Sequence, residues 1–160
     1  MVDNYDISGE NKLIVFRLAN EEYAIDVAQV RSIERMQPIT RVPRTPPFVK
    51  GVINLRGVVT PIIDLRRRFN MEEIEYTNNT RIIIVVVDEM EVGLIVDAAN
   101  DVIDLPADHI EPPPEVVGGE VADYLRGVVQ LENRLLILLN LDCVLARDEF
   151  QPTKTIEATS

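Results

Sequence analysis

The sequence has very little thiol or imidazole chemistry: it contains one cysteine, Cys143, and one histidine, His109, in 160 residues. One thiol excludes an internal disulfide, and one thiol with one imidazole is too few for a zinc or iron site built from these side chains. The Gly-x-Ser-x-Gly elbow, the phosphate loop and the His-x-x-x-His pattern are also absent. We therefore expect no catalytic residues, no metal and no cofactor.

Long apolar runs are also missing. No stretch reaches the roughly 18 uncharged apolar residues that a membrane-spanning helix needs. The start of the chain, Met1 to Glu10, is acidic and lacks the basic and apolar parts of a secretion signal. We therefore expect a cytoplasmic protein. With 46% hydrophobic residues, the chain can bury one ordinary core or two small fused cores.

The net charge of −11 argues against nucleic acid or an anionic membrane as a general partner, because both select basic proteins. The charge is unevenly distributed along the chain. Residues 31–70 contain nine basic and two acidic residues, whereas residues 71–160 contain five basic and nineteen acidic residues. A basic surface on an acidic protein suits a partner that presents matching acidic groups.

Strand patterns dominate the chain, because short β-branched and apolar runs alternate with turn residues. Many short strands joined by tight turns are typical of a sandwich or a barrel, so we predict an all-β fold. Short helices are predicted at 65–69 and 141–149, where Asp64 and Asn140 can cap the first turn. The predicted strands are 13–19, 22–25, 31–36, 49–55, 58–63, 81–88, 90–96, 102–105, 126–131 and 134–139.

The chain also contains an internal repeat. Gly51-Val52-Ile53-Asn54-Leu55 is similar to Gly127-Val128-Val129-Gln130-Leu131, which begins 76 residues further on. We predict a single domain over residues 12–147, made of two β-barrel halves at about 12–70 and 80–147, with flexible termini at 1–11 and 150–160. The groove between two such halves is a natural binding cleft.

One stretch carries a family resemblance. Phe48-Val49-Lys50-Gly51-Val52-Ile53-Asn54-Leu55-Arg56-Gly57-Val58-Val59-Thr60-Pro61-Ile62-Ile63-Asp64-Leu65 resembles the central signature of the CheW family. Phe16-Arg17-Leu18-Ala19-Asn20-Glu21-Glu22-Tyr23-Ala24-Ile25-Asp26 is similar to the opening hairpin of that family. The similarity extends from about residue 12 to residue 147, which is nearly the whole chain.

The resemblance implies two intertwined five-stranded β-barrels with short helices, one of them at the C-terminus. It also implies a non-catalytic coupling protein that links the signalling tips of chemoreceptors to the regulatory domain of the histidine kinase CheA. Such a protein reaches the membrane only through the receptors and is monomeric when free. Because a chain this short carries no kinase or phosphoacceptor domain, we expect the free-standing coupler.

Three residues of the signature have backbone roles. Gly51 and Gly57 bracket a strand and its turn, where glycine permits a positive φ or a close backbone approach. Pro61 lies within a strand pattern, and a proline there is expected on an edge strand or at a bulge. We therefore assign Gly51 and Pro61 to the structure of the turn.

Strand alternation separates the neighbouring side chains into two faces, with Ile53 and Leu55 on one and Asn54 and Arg56 on the other. If the apolar pair faces the core, the polar pair faces solvent or the cleft. The guanidinium of Arg56 can hold a carboxylate or carbonyl groups of a partner helix. The alternative is that Arg56 forms a structural ion pair with a nearby acid. The resemblance implies that Asn54, Arg56 and Gly57 bind the receptor.

Three further residues are assigned through the resemblance. Val30 lies in the segment that borders the receptor-binding groove of the family, although its spacing from Val27 and Ile33 also suits a core position. The second half of the chain is the implied kinase-binding surface, and Ile82 and Gly93 are the candidates there.

A competing hypothesis is a small β-barrel module that binds nucleic acid or another ligand, because five-stranded barrels can bind single strands through aromatic and basic residues. Aromatic residues make up only 5% of the chain, and the basic segment 31–70 contains only Phe48 and Phe69. The coupling protein is therefore the preferred interpretation.

Overall fold

The computed structural model describes residues 11–105, 109–112, 123–131 and 133–145. These residues are mostly strand, so the predicted all-β class is confirmed. The predicted flexible termini lie outside the described residues, apart from residue 11, which begins the first strand. The strands are β1 Asn11–Leu18, β2 Glu21–Asp26, β3 Val30–Arg35, β4 Val49–Leu55, β5 Val58–Asp64, β6 Arg81–Val87, β7 Met90–Val96, β8 Ala98–Leu105, β9 Ile110–Glu111, β10 Leu125–Leu131 and β11 Arg134–Leu139.

The helices are short and begin as predicted. Helix α1 is Leu65–Arg68, helix α2 is Leu141–Val144, and a single 3₁₀ turn spans Val27–Gln29. The side chains of Asp64 and Asn140 each accept a backbone N–H from two residues further on, at 3.0 Å, which satisfies an amide with no partner inside the helix. The second helix ends at Val144. The remainder of the predicted helix, residues 146–149, lies outside the described residues.

The strands form two mixed sheets. Sheet I has the order β8-β1-β2-β11-β10-β9, and sheet II has the order β3-β6-β7-β5-β4. Most neighbours are antiparallel, but β2 pairs with β11 and β5 pairs with β7 in parallel. Both sheets are open in the part of the chain that the structure describes, since their edge strands do not pair with each other. The predicted closure into two barrels is therefore not observed.

The two sheets do not correspond to the two halves of the sequence. Sheet I takes β1 and β2 from the first half and β8 to β11 from the second, and sheet II takes β3 to β5 from the first half and β6 and β7 from the second. The two halves are therefore intertwined, as the family resemblance implied, and residues 12–70 and 80–147 do not each form a separate sheet. The parallel pairs join strands that are distant in sequence, and this interleaves the halves.

Equivalent positions of the sheets are occupied by residues 76 apart. Gly51 on β4 and Gly127 on β10 both face a backbone carbonyl, and both follow a shift in strand register. A Cβ on Gly51 would lie 2.1 Å from the oxygen of Thr40, and a Cβ on Gly127 would lie 2.5 Å from the oxygen of Glu111. Glycine is therefore required where a crossing segment pairs with the edge of each sheet.

The apolar side chains form one central core and two smaller ones. The central core contains residues of both sheets, and each smaller core contains residues of one sheet only. Strand β1 contributes to two of these cores because both of its faces are covered. Ile14 and Phe16 pack in the central core, whereas Leu13 and Val15 pack in the smaller core of sheet I. Strands that are covered on both faces are apolar throughout and show little alternation.

Two arginines near α1 connect distant parts of the chain. Arg66 donates from Nε and Nη2 to the carboxylate of Asp97, at 2.9 and 2.6 Å, and this carboxylate also accepts the N–H of Ala19 at 2.8 Å. The hydrogen bonds from Arg66 to Asp97 raise the pKa of the guanidinium. Arg68 is buried and donates from Nε to the carbonyl oxygen of Val144 at 2.7 Å, so it joins α1 to α2.

Candidate functional site

The edge strands β3 and β8 border a shallow apolar groove, called the edge groove below. Ile33 on β3 is 41% exposed and Val102 on β8 is 54% exposed, and both side chains line the groove, so they form one apolar patch. The groove has a volume of about 300 Å³. Its lining residues are Ile14, Ile33, Ala99, Asp101 and Val102.

The two exposed side chains occupy equivalent places. Ile33 pairs with Ile83 of sheet II, and Val102 pairs with Ile14 of sheet I, while Ile83 and Ile14 both pack in the central core. Sequence reasoning did not select Ile33 or Val102 as exposed residues. The signal that could have found them was an apolar residue on each of the two edge strands, β3 and β8.

Val30 lies at the start of β3, between the 3₁₀ turn and the strand. Its side chain is half-buried and packs partly against the central core. It lines a different shallow depression, together with Gln29, Arg31 and Val86. The structure therefore places Val30 on the same strand as the edge groove but not in its lining.

The turn between β4 and β5 presents the Asn54, Arg56 and Gly57 group. Arg56 has φ +52° and Gly57 has φ +86°, which is the pattern of a tight two-residue hairpin with both central residues in the left-handed region. The side chain of Asn54 accepts the N–H of Gly57 at 2.9 Å, so it stabilises the turn. Arg56 lies in the turn itself, and the prediction that it lies in the strand beside Asn54 is wrong.

The Arg56 guanidinium contacts an acid of the same chain. Its Nη2 lies 3.2 Å from Oε2 of Glu34 on β3, with side-chain exposures of 65% for Arg56 and 19% for Glu34. The contact brings together the two edge strands of sheet II. An ion pair this exposed contributes only about 0–1 kcal/mol to stability. One Nη of Arg56 makes this contact within the described part of the chain, and its remaining donors face outward.

Two valines after the turn are also exposed, Val58 by 48% and Val59 by 66%. At the position equivalent to Val59, the β10–β11 hairpin exposes Leu135 by 54%. At the position equivalent to Val58 it carries Arg134, which donates to the carboxylate of Glu22 at 3.0 and 3.2 Å. The repeat in the sequence already aligned Val59 with Leu135, so this exposed pair could have been found before the structure.

Pro61 lies on an inner strand, because β5 has β7 on one side and β4 on the other. The expectation of an edge position is therefore wrong. The register shift nearby is on β4, between Val49 and Gly51. The pairing of β5 with β7 begins only at Ile62, so the missing N–H of Pro61 is not needed there.

Ile82 and Gly93, the candidates for kinase binding, are both buried. Ile82 is 0% exposed and packs in the smaller core of sheet II. A Cβ on Gly93 would lie 2.5 Å from the side chain of Ile62 and 2.7 Å from that of Ile82, so the glycine makes room for its neighbours. Neither side chain is exposed in this structure, so a role for these residues in kinase binding stays a prediction. Their strands are covered on both faces, which the apolar run alone could not show.

The aromatic residues of the basic segment have no surface for stacked bases. Phe69 is 3% exposed and packs in the central core. The guanidinium of Arg68 lies 4.5 Å from the ring centre of Phe48 and covers it. These positions do not favour the nucleic-acid hypothesis, since single-strand binding depends on exposed rings.

Two features are absent from the described residues. Among them, no group of three or more His, Cys, Asp or Glu side chains is arranged to hold a metal ion. None of their helices has both the length and the apolar character needed to cross a bilayer.

Comparisons with known proteins agree on one family. Residues 12–149 match the CheW-like domain. The chain is 49% identical to the chemotaxis protein CheW of Bacillus subtilis (strain 168) over 146 residues, which covers 91% of this chain and 94% of that protein. It is 41% identical to the chemotaxis protein CheW of Klebsiella aerogenes, with coverages of 86% and 83%.

A solved structure shows the same fold. The crystal structure of the scaffolding protein TtCheW from Thermoanaerobacter tengcongensis superposes with a TM-score of 0.80 at 35% sequence identity. The match covers 87% of this chain and 94% of the other.

Proposed function

Because this chain belongs to the CheW family, whose members are non-catalytic adaptors, we propose that it is a chemotaxis coupling protein. It links the signalling tips of chemoreceptors to the regulatory domain of the histidine kinase CheA. Support comes from the names of the relatives, which are chemotaxis and scaffolding proteins. It acts in the cytoplasm as a monomer when free, and it reaches the membrane only through the receptors.

The observation that carries the receptor assignment is the exposed pair in the edge groove. Ile33 and Val102 project from two edge strands over the buried Ile14, and an apolar groove of this kind suits the apolar stripe of a helical receptor tip. The Arg56 guanidinium lies beside Glu34, the residue that follows Ile33 on β3. We place the receptor contact along β3, from Val30 to Glu34, with Asn54, Arg56 and Gly57 at its polar end.

The kinase contact is assigned to the second half of the chain, with Leu135 as its apolar anchor. Leu135 is 54% exposed at the end of sheet I, whereas Ile82 and Gly93 are buried. Exposed aliphatic side chains that become buried in a complex contribute strongly when they lie at its centre. The two partners then occupy separate surfaces, as a coupling protein requires.

Two matched substitutions test this assignment. Val102→Glu and Leu135→Glu each place a charge at an exposed apolar position, so both proteins should fold. Each variant is titrated by calorimetry with a receptor-tip fragment and with the kinase regulatory domain, which gives two affinities for each variant. We expect Val102→Glu to weaken receptor binding at least about tenfold and Leu135→Glu to weaken kinase binding by a similar factor.

Val59→Glu is the control, because Val59 is the equivalent of Leu135 on the first-half hairpin. It should change kinase affinity by less than about twofold. The assignment of surfaces fails if each substitution weakens both partners equally. The proposed function itself fails if the wild-type protein binds neither fragment.

A further inference from the structure

A cleft on the first-half side of sheet II lies outside the two surfaces proposed above for the receptor and the kinase. It has a volume of about 410 Å³ and lies between the outer edge of β4 and the segment that leads into it. This is within the usual size range of ligand sites. The cleft is called the basic cleft below, and its lining residues are Met36, Gln37, Ile39, Arg41, Pro47, Val49, Lys50 and Tyr76.

The backbone that forms the basic cleft is fixed in place. Thr40 and Val52 exchange two backbone hydrogen bonds, of 2.9 and 2.8 Å, which hold the crossing segment against β4. Gly51 allows this close approach, because a Cβ there would collide with the carbonyl oxygen of Thr40. The walls are therefore part of the folded structure and do not depend on a bound partner.

Two polar side chains of the cleft, Lys50 and Tyr76, are held by neighbours. The ammonium group of Lys50 lies 2.5 Å from Oε2 of Glu73, and this hydrogen bond lowers the pKa of Glu73. The hydroxyl of Tyr76 donates to Asp64 at 3.2 Å. Arg41 is different, since it is exposed and its guanidinium has no partner among the described residues.

The lining of the basic cleft contains two cations, Arg41 and Lys50, and no acid. Because Glu73 pairs with Lys50, Arg41 supplies the net positive charge of the cleft. No acidic residue occurs between positions 35 and 63, whereas the net charge of the chain is −11. Such a local field attracts an acidic partner and repels a basic one. An anionic membrane is disfavoured because the rest of the protein would be repelled from it.

We propose that the basic cleft is a further protein-docking site that takes an acidic, extended segment of a partner. An apolar side chain of the segment inserts between Met36, Ile39 and Val49, and a carboxylate of the segment binds Arg41. The positive charge of the cleft and its apolar floor are both needed for this specificity. The site is separate from the edge groove and from Leu135, so its test does not depend on the proposed coupling function.

The test titrates the synthetic peptide Glu-Glu-Leu-Glu-Glu into the nitrogen-15-labelled full chain and measures backbone amide shifts by NMR. We expect amide shifts at Ile39, Arg41, Lys50 and Tyr76, and no comparable shifts with Lys-Lys-Leu-Lys-Lys or Glu-Glu-Gly-Glu-Glu. Arg41→Glu should weaken peptide binding at least about tenfold. Arg44→Glu is the matched control, because Arg44 is exposed in the same segment but does not line the cleft; it should change binding less than about threefold.

Several results would overturn the proposal. These are an absence of shifts, shifts centred on another surface, equal loss in the two arginine variants, and displacement of the peptide by the receptor-tip fragment. A response to phenylphosphate without a response to the acidic peptide would also overturn it, since the cleft would then be a small-molecule site. Thermal melts of both variants verify that each protein is folded before the comparison is made.

Discussion

The β4–β5 hairpin of sheet II and the β10–β11 hairpin of sheet I have equivalent frameworks and different surfaces. Their buried positions match: each has a glycine against a backbone carbonyl, and each is followed by a capped single-turn helix. Their exposed positions differ, since the first carries Val58 and Val59 and the second carries Arg134 and Leu135. The matched positions build the fold, and the unmatched positions give the two hairpins different surfaces.

The ion pairs beside the hairpins also combine an equivalent position in the framework with a different partner. Glu22 on β2 and Glu91 on β7 occupy equivalent positions, but Glu22 binds Arg134 of the hairpin, whereas Glu91 binds Arg31 of β3 at 3.0 Å. In sheet II the arginine therefore comes from the edge strand, and the hairpin keeps its apolar surface. A similar framework thus exposes two different chemical surfaces.

The largest effect is expected at the matched glycines. Gly51→Ala places a Cβ 2.1 Å from a backbone oxygen at φ +145°, so the bridge to Thr40 must move. We expect the free energy of unfolding in urea to fall by about 3 kcal/mol. Gly57→Ala is the control: no atom lies within 4 Å of its added Cβ, and only the positive φ opposes it, so the loss should be about 1 kcal/mol.

Gly127→Ala extends this prediction to the second repeat. Its Cβ would lie 2.5 Å from the carbonyl oxygen of Glu111, so we expect a loss of about 2–3 kcal/mol. If Gly127→Ala were as stable as the wild type in the same urea titration, the two frameworks would not be equivalent.

A smaller effect on stability and a larger one on binding are expected at Arg56. The side chain is 65% exposed, so Arg56→Ala should change the thermal stability by no more than about 0.5 kcal/mol. If the guanidinium anchors the receptor, receptor affinity should fall by about 1–3 kcal/mol, and kinase affinity much less. A large drop in melting temperature would instead make the pair with Glu34 structural, and unchanged receptor binding would remove Arg56 from the site.

The helix caps differ in charge, and this difference predicts a pH effect. Burial raises the pKa of Asp64, with the backbone N–H of Arg66 and the hydroxyl of Tyr76 acting in the opposite direction. An acid whose pKa is raised in the folded state costs stability as the pH rises above its unfolded value of about 4. Asp64→Asn should therefore stabilise the protein at neutral pH, by up to about 1 kcal/mol, and have little effect below pH 4.

The reciprocal change is the control for this prediction. Asn140→Asp introduces a carboxylate at the uncharged cap, and it should destabilise the protein at neutral pH but less at low pH. Urea titrations of both variants at several pH values would measure the two trends. Two variants with the same pH dependence would show that cap charge does not distinguish the repeats.

The smallest effect on stability and binding is expected from a substitution in helix α2. Cys143 on α2 is exposed and occupies the position equivalent to Arg67 on α1. Cys143→Ser should change stability by less than about 0.5 kcal/mol and leave both partner affinities intact. Loss of receptor or kinase binding in a folded Cys143→Ser protein would give this thiol a role that its surroundings do not suggest.

Most of the strands could be predicted from the sequence. Apolar runs bounded by turn residues gave β4, β7 and β11 with the observed bounds, because the local pattern and the pairing agree there. Strand β9 was missed, since two residues before Pro112 are too few to form a pattern. The exchange of strands between the halves depends on long-range pairing, which the local pattern cannot show.

The candidate site was predicted less completely. The signature located the turn at Gly57, because turn residues are recognisable from local sequence, but it did not place Arg56 in that turn. The burial of Ile82 and Gly93 was not foreseen, because a run such as Arg81–Val87 is apolar on both faces, and its burial depends on a second layer. Ile33 and Val102 were missed for the opposite reason, since an apolar residue at an edge strand is normally assumed to be covered.

Simultaneous binding of both partners tests the account most directly. A receptor-tip fragment is immobilised, the protein is added to saturation, and the kinase regulatory domain is titrated over the surface. We expect the kinase domain to be retained only when the protein is present, with an affinity within about threefold of that measured in solution without receptor. If the kinase domain released the protein from the receptor, the two partners would share one surface, and the division between matched framework and separate recognition surfaces would be contradicted.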